Sequence, residues 1–399
     1  GWERNAFDEL AGAVVAGHVI ECSGQASGGN YSFFTEIPDR TDVGGRARFG
    51  YPWAEVAADG SSVIGKHDGT GGNISIGTVT SQILYEIATP RYRGPDVTAR
   101  FDTVELEEAG PDRVRIFGVR GEPPPPTLKV ATNRMGGFRN SVTLGLVGLD
   151  IEAKAEFCEA VFWDAYPYGA DALDEVVITL SRTDHVDPLT NDQATARWTV
   201  TVKDRDPEKV GRAFSNAIFQ TALASIPGMH ALSGAPRSAD PFGVDSPATV
   251  PSGLVPQYVH VIGDATTTVD SIAPDGPLLD LPLDLGTPPP EPFPAGPTVE
   301  APLGTIIGAR SGDKGGDANL GVFARSDESW RWLDSFLTIE RLRELLPETT
   351  DLVIERYRLP HIRSLNFVIH RLLGDGVAAS TRPDAQAKSL GEWLRARIV

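Results

Sequence analysis

The chain has 399 residues, 41% of them hydrophobic, which exceeds one ordinary domain of roughly 100–200 residues and suffices for packed cores. Its formal net charge is −18, from 54 acidic against 36 basic residues. That balance argues against nucleic acid, whose phosphates need a basic face, and against docking on an anionic membrane surface.

The start, GWERNAFDELAGAVVAG, carries acidic residues ahead of its apolar stretch and is not a signal peptide; no apolar run approaches membrane-span length. Cys22 and Cys158 are the only cysteines. They form neither a disulfide framework nor a CxxC zinc pair, so a reduced, cytoplasmic setting is expected. Without secretion, the glycosylation patterns at Asn30 and Asn73 carry no weight.

Asn5 to Gly17 is predicted as an amphipathic helix with Phe7, Leu10 and Val14 on one face. Val19 to Cys22 reads as a strand that enters a glycine-rich loop, Ser23 to Gly29. Cys22 beside Glu21 and His18 has the chemistry of an activated nucleophile, but nothing fixes a base within reach. The stronger reading is a small buried thiol and a hydrogen-bonded core histidine.

A second loop, Lys66-His67-Asp68-Gly69-Thr70-Gly71-Gly72-Asn73, precedes a predicted helix from Thr78 to Ile87. Glycine amides and a helix N-terminus can aim donors at an anion. Lys66 would add charge, His67 would act as acid or base near neutral pH, and Asp68 would orient it. The order of glycine and lysine is not that of a P-loop. The alternative is an ordinary loop capping the helix.

Strands are predicted over Asp102 to Glu107 and Arg113 to Val119, interrupted by Pro123 to Pro126. Asn133 to Asn140 reads as a glycine turn whose Arg134 and Arg139 suit carboxylate or phosphate recognition; a solvated hairpin or linker is the preferred reading. Strand Ser141 to Val147, helix Ile151 to Trp163, strands Glu175 to Leu180 and Ala196 to Val202, helix Asp206 to Ala224 and strand Gln257 to Ile262 follow in order. That is the split βαβ, ferredoxin-like pattern. Asp184-His185-Val186-Asp187 lacks a second histidine at helical spacing and reads as solvated loop.

Pro274 to Pro302 is dense in proline and reads as an extended spacer. It divides the chain into a main domain, 1–273, and a C-terminal domain, 303–399. In the latter, strands Leu303 to Gly308 and Leu320 to Ala324 flank a polar turn. Helix Ser329 to Leu346, strands Leu352 to Tyr357 and Ser364 to Leu372, and helix Ala385 to Ile398 complete it. A four-stranded sheet with helices on one face fits this order. His361 and His370 flank the last strand pair and read as structural.

The polar turn, GARSGDKGGDANLG from Gly308 to Gly321, is richer than a hairpin needs. Arg310, Ser311, Asp313, Lys314, Asp317 and Asn319 stand among glycines whose amides can form an anion-binding concavity. Asp313 and Asp317 have the oxygens for magnesium or calcium, but pairing with Arg310 and Lys314 is preferred, and no metal is expected.

Four stretches in order, GHVIECSGQASGGN, KHDGTGGNISIGTVTSQILYEI, GPDRVRIFGVRGEPPPPTLKV and GARSGDKGGDANLGVFAR, resemble the acyclic terpene utilisation AtuA family. The last ~100 residues resemble its accompanying ferredoxin-like domain, consistent with the strand order. The resemblance implies an α/β (α+β) fold: a mixed-sheet main domain with the split βαβ pattern and a small C-terminal α/β sandwich. It further implies bacterial breakdown of branched acyclic terpenoids such as citronellol and geraniol, through acyl-CoA thioesters. Members usually begin with a further α/β segment, so the opening at Gly1-Trp2 is expected to lie inside the first domain, leaving strand edges that invite association.

The expected function is therefore a lyase or hydratase acting on a branched acyl-CoA. Lys66, His67 and Asp68 would be catalytic. Gly69, Thr70, Gly71, Gly72 and Asn73, with Arg134, Arg139 and the polar residues of 308–321, would bind ligand. No cofactor is expected beyond coenzyme A on the substrate. The partners expected are that substrate and a second copy or a pathway enzyme. The rival is a non-catalytic subunit or scaffold of the same pathway.

Overall fold

The structure, a computed structural model, describes residues 2–38, 48–223, 226–234, 238–270, 282–284 and 296–399. Most of the Pro274 to Pro302 stretch lies outside the described residues, as does the predicted helix end at Ala224. The chain forms two compact units: one of Gly1–Thr132, Pro247–Val377 and Asp384–Val399, the other of Asn133–Ser246 and Ala378–Pro383.

The first unit opens with α1 (Phe7–Glu21). Residues Val19 to Glu21, expected as strand, continue this helix, and Cys22 is its C-cap. The helix buries Ala11, Val15 and Val19, spaced four apart, so the periodicity runs past Gly17 without a break. Strands β1 (Pro52–Val56) and β2 (Ser62–Lys66) lead to α2 (Ile76–Ile83). Next come β3 (Arg91–Arg93), β4 (Thr98–Arg100), β5 (Glu105–Gly110), β6 (Arg113–Phe117), β7 (Arg120–Glu122) and β8 (Thr127–Val130). Two antiparallel sheets result, ordered β1-β2-β6-β5 and β3-β4-β7. The strand expected from Asp102 begins instead with a 3-10 turn, Phe101–Thr103. Asp102 there is fully buried and held by Arg100 at 2.8 Å, which rests also on Glu122 at 2.7 Å.

The second unit begins with β9 (Asn133–Val147), then α3 (Ile151–Ala165), β10 (Glu175–Ser181), β11 (Thr195–Asp204), α4 (Phe214–Leu223), β12 (Met229–Ala231) and β13 (Asp240–Asp245). Its sheet order, β10-β11-β9-β12, with every neighbour antiparallel, is the split βαβ arrangement. The fourth strand is not the expected Gln257 to Ile262. β9 is long enough to pair with β12 at Leu144–Leu146 and with β13 at Asn133–Arg139. The supposed glycine turn at Asn133 to Asn140 therefore lies inside β9. The helix expected from Asp206 enters through a π-type turn, Lys209–Ala213.

The chain then returns to the first unit. β14 (Ala248–Pro251) pairs with β8, and β15 (Gln257–Val259) forms a ribbon with β16 (Thr267–Val269). β17 (Ile307–Lys314), β18 (Asp317–Ala324), β19 (Ile354–Leu359) and β20 (Ser364–Ile369) make an antiparallel sheet ordered β17-β18-β20-β19. The single helix expected over Ser329 to Leu346 is two, α5 (Asp327–Phe336) and α6 (Ile339–Leu345), because Thr338 caps the second by accepting from the Arg341 amide at 3.1 Å. The chain closes with α7 (Leu390–Arg395).

Both faces of this last sheet are covered. Ile307, Leu320, Val322 and Phe367 pack with Leu333, Leu342, Leu390 and Leu394 of α5, α6 and α7. Phe323 and Leu359 join the other core, with Val15 and Val19 of α1 and Val79 and Ile83 of α2. Arg310, Gly312 and Lys314 alternate onto this second face, opposite Gly321 and Asn319 of β18. The polar stretch from 308 to 321 is thus two ladder-paired strands with a tight turn at Gly315-Gly316, not an open loop; on the outer edge of β17 the Ala309 amide donates to the Ser32 hydroxyl at 3.0 Å.

Candidate functional site

Gly312 and Gly321 allow the end of α2 to lie on β17 and β18. A Cβ at Gly312 would come within 2.8 Å of Glu86 Cγ, and one at Gly321 within 2.5 Å of Leu84 Cβ. Asn319, fully buried, receives the Glu86 amide at 2.8 Å and donates to the Leu84 carbonyl at 3.1 Å and to Asn366 at 2.5 Å. Asn366 in turn donates to the Ala88 carbonyl at 2.7 Å. The two asparagines satisfy the orphan groups at this helix end and hold Glu86 in a left-handed conformation, φ 54°.

Arg310 enters the space so made. It is 7% exposed, its guanidinium lies 4.1 Å over the Tyr85 ring, and it donates to the Gln25 side-chain oxygen. Among the described residues no carboxylate pairs with it. Burial lowers its pKa from the usual arginine value, against the fields of Tyr85, Cys22 and Glu86. Lys314, half-buried, has neither hydrogen bond nor ion pair among the described residues. Burial pulls its pKa down too, against Glu86 and with help from Lys129.

The expected pairing of Arg310 and Lys314 with Asp313 and Asp317 does not form. Asp313 lies on the opposite face of β17 by strand alternation and meets Lys388 at 3.3 Å. Asp317 accepts from the Arg371 amide at 2.8 Å and pairs with His370 at 3.0 Å. Lys388 also contacts the Tyr85 hydroxyl and the Glu86 carboxylate, and its ammonium lies 4.5 Å over the Tyr85 ring. Burial works against the Lys388 charge, but Glu86 and Tyr85 outweigh it and raise its pKa. Burial would raise Glu86, yet Lys388 and Tyr85 leave it below the usual carboxylate value.

Cys22 borders the cluster, 3.5 Å from the Glu21 carboxylate. Burial, then Glu21, push the thiol up, so it is not a ready thiolate. His18 is a core residue: its Nε2 lies 3.1 Å from the Gln82 carbonyl, and its ring meets Tyr92 and Phe101 edge-on. Ser311 is buried on the other face, where it accepts from the Gly391 amide at 2.9 Å.

The Lys66 loop closes on itself. Lys66 pairs with Asp112 at 3.1 Å and donates to the Thr70 carbonyl at 2.9 Å, and the Ile74 amide donates to the same Asp112 at 3.0 Å. The anion held at this loop is the chain's own carboxylate. The Asn73 amide donates to the Ser27 carbonyl, Thr70 donates to the His67 carbonyl, and the Gly71 carbonyl receives the Gly50 amide. Gly69 and Gly72 take positive φ, 71° and 84°. His67 and Asp68 are exposed. Arg134 and Arg139 lie on β9 of the second unit, Arg134 exposed and Arg139 donating to the Ser380 carbonyl at 3.4 Å.

Sequence reasoning thus found Arg310, Lys314 and Asn319 but missed Gln25, Tyr85, Glu86 and Lys388. Tyr85-Glu86 lies within the LYEI run, 84–87, whose polar pair at a helix end was available as a signal; Lys388 carries no local pattern at all.

Two family models match the chain. The acyclic terpene utilisation family protein AtuA model covers residues 1–261, and the AtuA ferredoxin-like domain model covers residues 301–399. No curated protein and no solved structure matches it. The chain belongs to the AtuA family, which ties it to acyclic terpene utilisation. Its C-terminal domain is ferredoxin-like. Among the described residues no helix is long and apolar enough to cross a membrane.

Proposed function

We propose that this AtuA-family chain is an enzyme of acyclic terpenoid breakdown that acts on a branched acyl-CoA, and that the Arg310–Lys314 face receives the thioester. The observation that carries this reading is the pair of inward-facing cations with no acidic partner among the described residues. A buried charge without a counter-ion is costly and points to an anionic or strongly polarised guest.

In this reading Arg310 donates to the thioester oxygen, where charge develops when the adjacent carbon is deprotonated. Lys314 is charged at rest, but burial lowers its pKa; it gives its proton to solvent when the substrate is seated and is then the base that takes the proton from that carbon. The electron pair moves onto the thioester oxygen. Departure of a β-hydroxyl as water, with a proton from the Tyr85 hydroxyl, completes a hydratase-type elimination. Lys388, in contact with that hydroxyl, stabilises the phenolate left behind. The proton on Lys314 and the one missing from Tyr85 are exchanged with solvent. The chemistry asks for no cofactor beyond the coenzyme A of the substrate.

Titration calorimetry with geranoyl-CoA tests the reading, with dehydration and hydration followed in parallel. Arg310→Gln and Lys314→Met should each weaken binding about tenfold or more while the fold survives. An unmodified protein that binds no acyl-CoA, or binds it equally well after both substitutions, refutes it.

A further inference from the structure

A cavity of about 270 Å³ lies at the N-terminal end of α2, away from the Arg310–Lys314 face at the helix's other end. Ile76, Gly77 and Thr80 form one wall, and Phe323 and Ile362 supply apolar surface. The volume lies near the lower end of small-molecule sites.

Three observations mark its polar end. Ser75 spends its hydroxyl on the Thr78 amide at 3.3 Å, so the Ile76 and Gly77 amides, the first of the helix, have no partner among the described residues. Tyr31 is 8% exposed, yet its hydroxyl has no hydrogen-bond partner among the described residues. It abuts Gly77 so closely that a Cβ there would stand 2.3 Å from the hydroxyl oxygen. Thr80 is 3% exposed, and its hydroxyl is equally unpartnered among the described residues.

Both residues are buried, but their hydroxyl oxygens are not enclosed: with both side chains lining this cavity, a guest there can take the hydrogen bonds that the protein leaves unmade. The rim adds Arg325 and Arg363, each already sharing its charge with Glu36 and Asp327, together with His361, which pairs with Asp284. Glu108 supplies a carboxylate at the edge. The inner end therefore presents donors and the remaining wall presents hydrocarbon.

We propose that this cavity binds a small aliphatic monocarboxylate. Its oxygens accept from the Ile76 and Gly77 amides and from the Tyr31 and Thr80 hydroxyls. Its hydrocarbon lies against Phe323 and Ile362. Helix N-termini favour such anions through their free amides and dipole. Burial raises the pKa of the Tyr31 hydroxyl, which keeps it a donor. The site is independent of the acyl-CoA reading: neither Arg310 nor Lys314 lines it.

Isovalerate titrated into the full chain by calorimetry tests this. Saturable binding with a Kd on the order of 1 mM is expected. Tyr31→Phe and Thr80→Val keep ring and volume and should each weaken it about tenfold, the charge-assisted hydrogen bond being the part lost. Without isovalerate both variants should melt no lower than the unmodified protein, since the hydroxyls have no structural partner to lose. Arg310→Gln should bind isovalerate unchanged. The proposal is overturned by the absence of saturable binding, by full affinity in the Tyr31→Phe, Thr80→Val double variant, by a marked fall in melting temperature from either hydroxyl deletion without ligand, or by loss of isovalerate binding in Arg310→Gln.

Discussion

Replacing Lys66 with methionine should cost stability and leave acyl-CoA binding intact. The side chain is 4% exposed and sits 3.1 Å from Asp112, which is 30% exposed. Breaking a buried pair by deleting one partner costs roughly 3–5 kcal/mol. Asp112 keeps some water and the Ile74 amide at 3.0 Å, so about 2–3 kcal/mol is expected after discounting for solvent. At roughly 2–4 °C per kcal/mol for a unit of this size, the melting temperature should drop by about 5–10 °C. Asp112→Asn removes the other charge, and the Lys66→Met, Asp112→Asn double variant should recover about 1–2 kcal/mol relative to the sum of the singles. Urea and thermal melts of the four proteins, with geranoyl-CoA titrations alongside, make the measurement. A Lys66→Met protein that melts normally but no longer binds the thioester would refute the reasoning, because the loop would then hold a guest and not its own Asp112.

Acid should weaken the protein through His18. Burial, then the field of Lys314, lower its pKa below the ordinary 6.5, with Glu21 and the Ile83 and Gln82 backbone opposing. Below about 6.5 the unfolded chain takes up a proton that the folded one refuses, so this stability is full above that pH and is lost as pH falls from there. His18→Gln should flatten the difference between urea midpoints at about pH 7.5 and about pH 5.5; equal slopes in the two proteins would remove His18 from the account. Asn319→Leu leaves the Glu86 amide, the Leu84 carbonyl and Asn366 without their partner. A loss of about 3 kcal/mol or more is expected at 1–3 kcal/mol per orphaned group. Acyl-CoA affinity should fall with it, since Tyr85 and Glu86 lose their anchor; a variant of normal stability would show that the two asparagines do not hold this helix end.

The features legible in the sequence are those that neighbouring residues decide. Helix Ile151 to Trp163 is found as Ile151–Ala165, and strands near 175, 196 and 364 fall within a few residues of their expected starts. Apolar periodicity is a property of adjacent positions, so it survives folding. The family itself is written in four local stretches. The tertiary structure alone decided what the charges meet. Lys66 has a usable anion nearby only because Asp112, in the turn between β5 and β6, arrives beside it. Arg310 and Lys314 are left without carboxylates because strand alternation turns Asp313 away, and Asp317 is taken by His370 and Arg371. Lys388, far along the chain, takes Glu86. Ion pairing depends on which remote side chain reaches a given face, and no spacing within one segment encodes that.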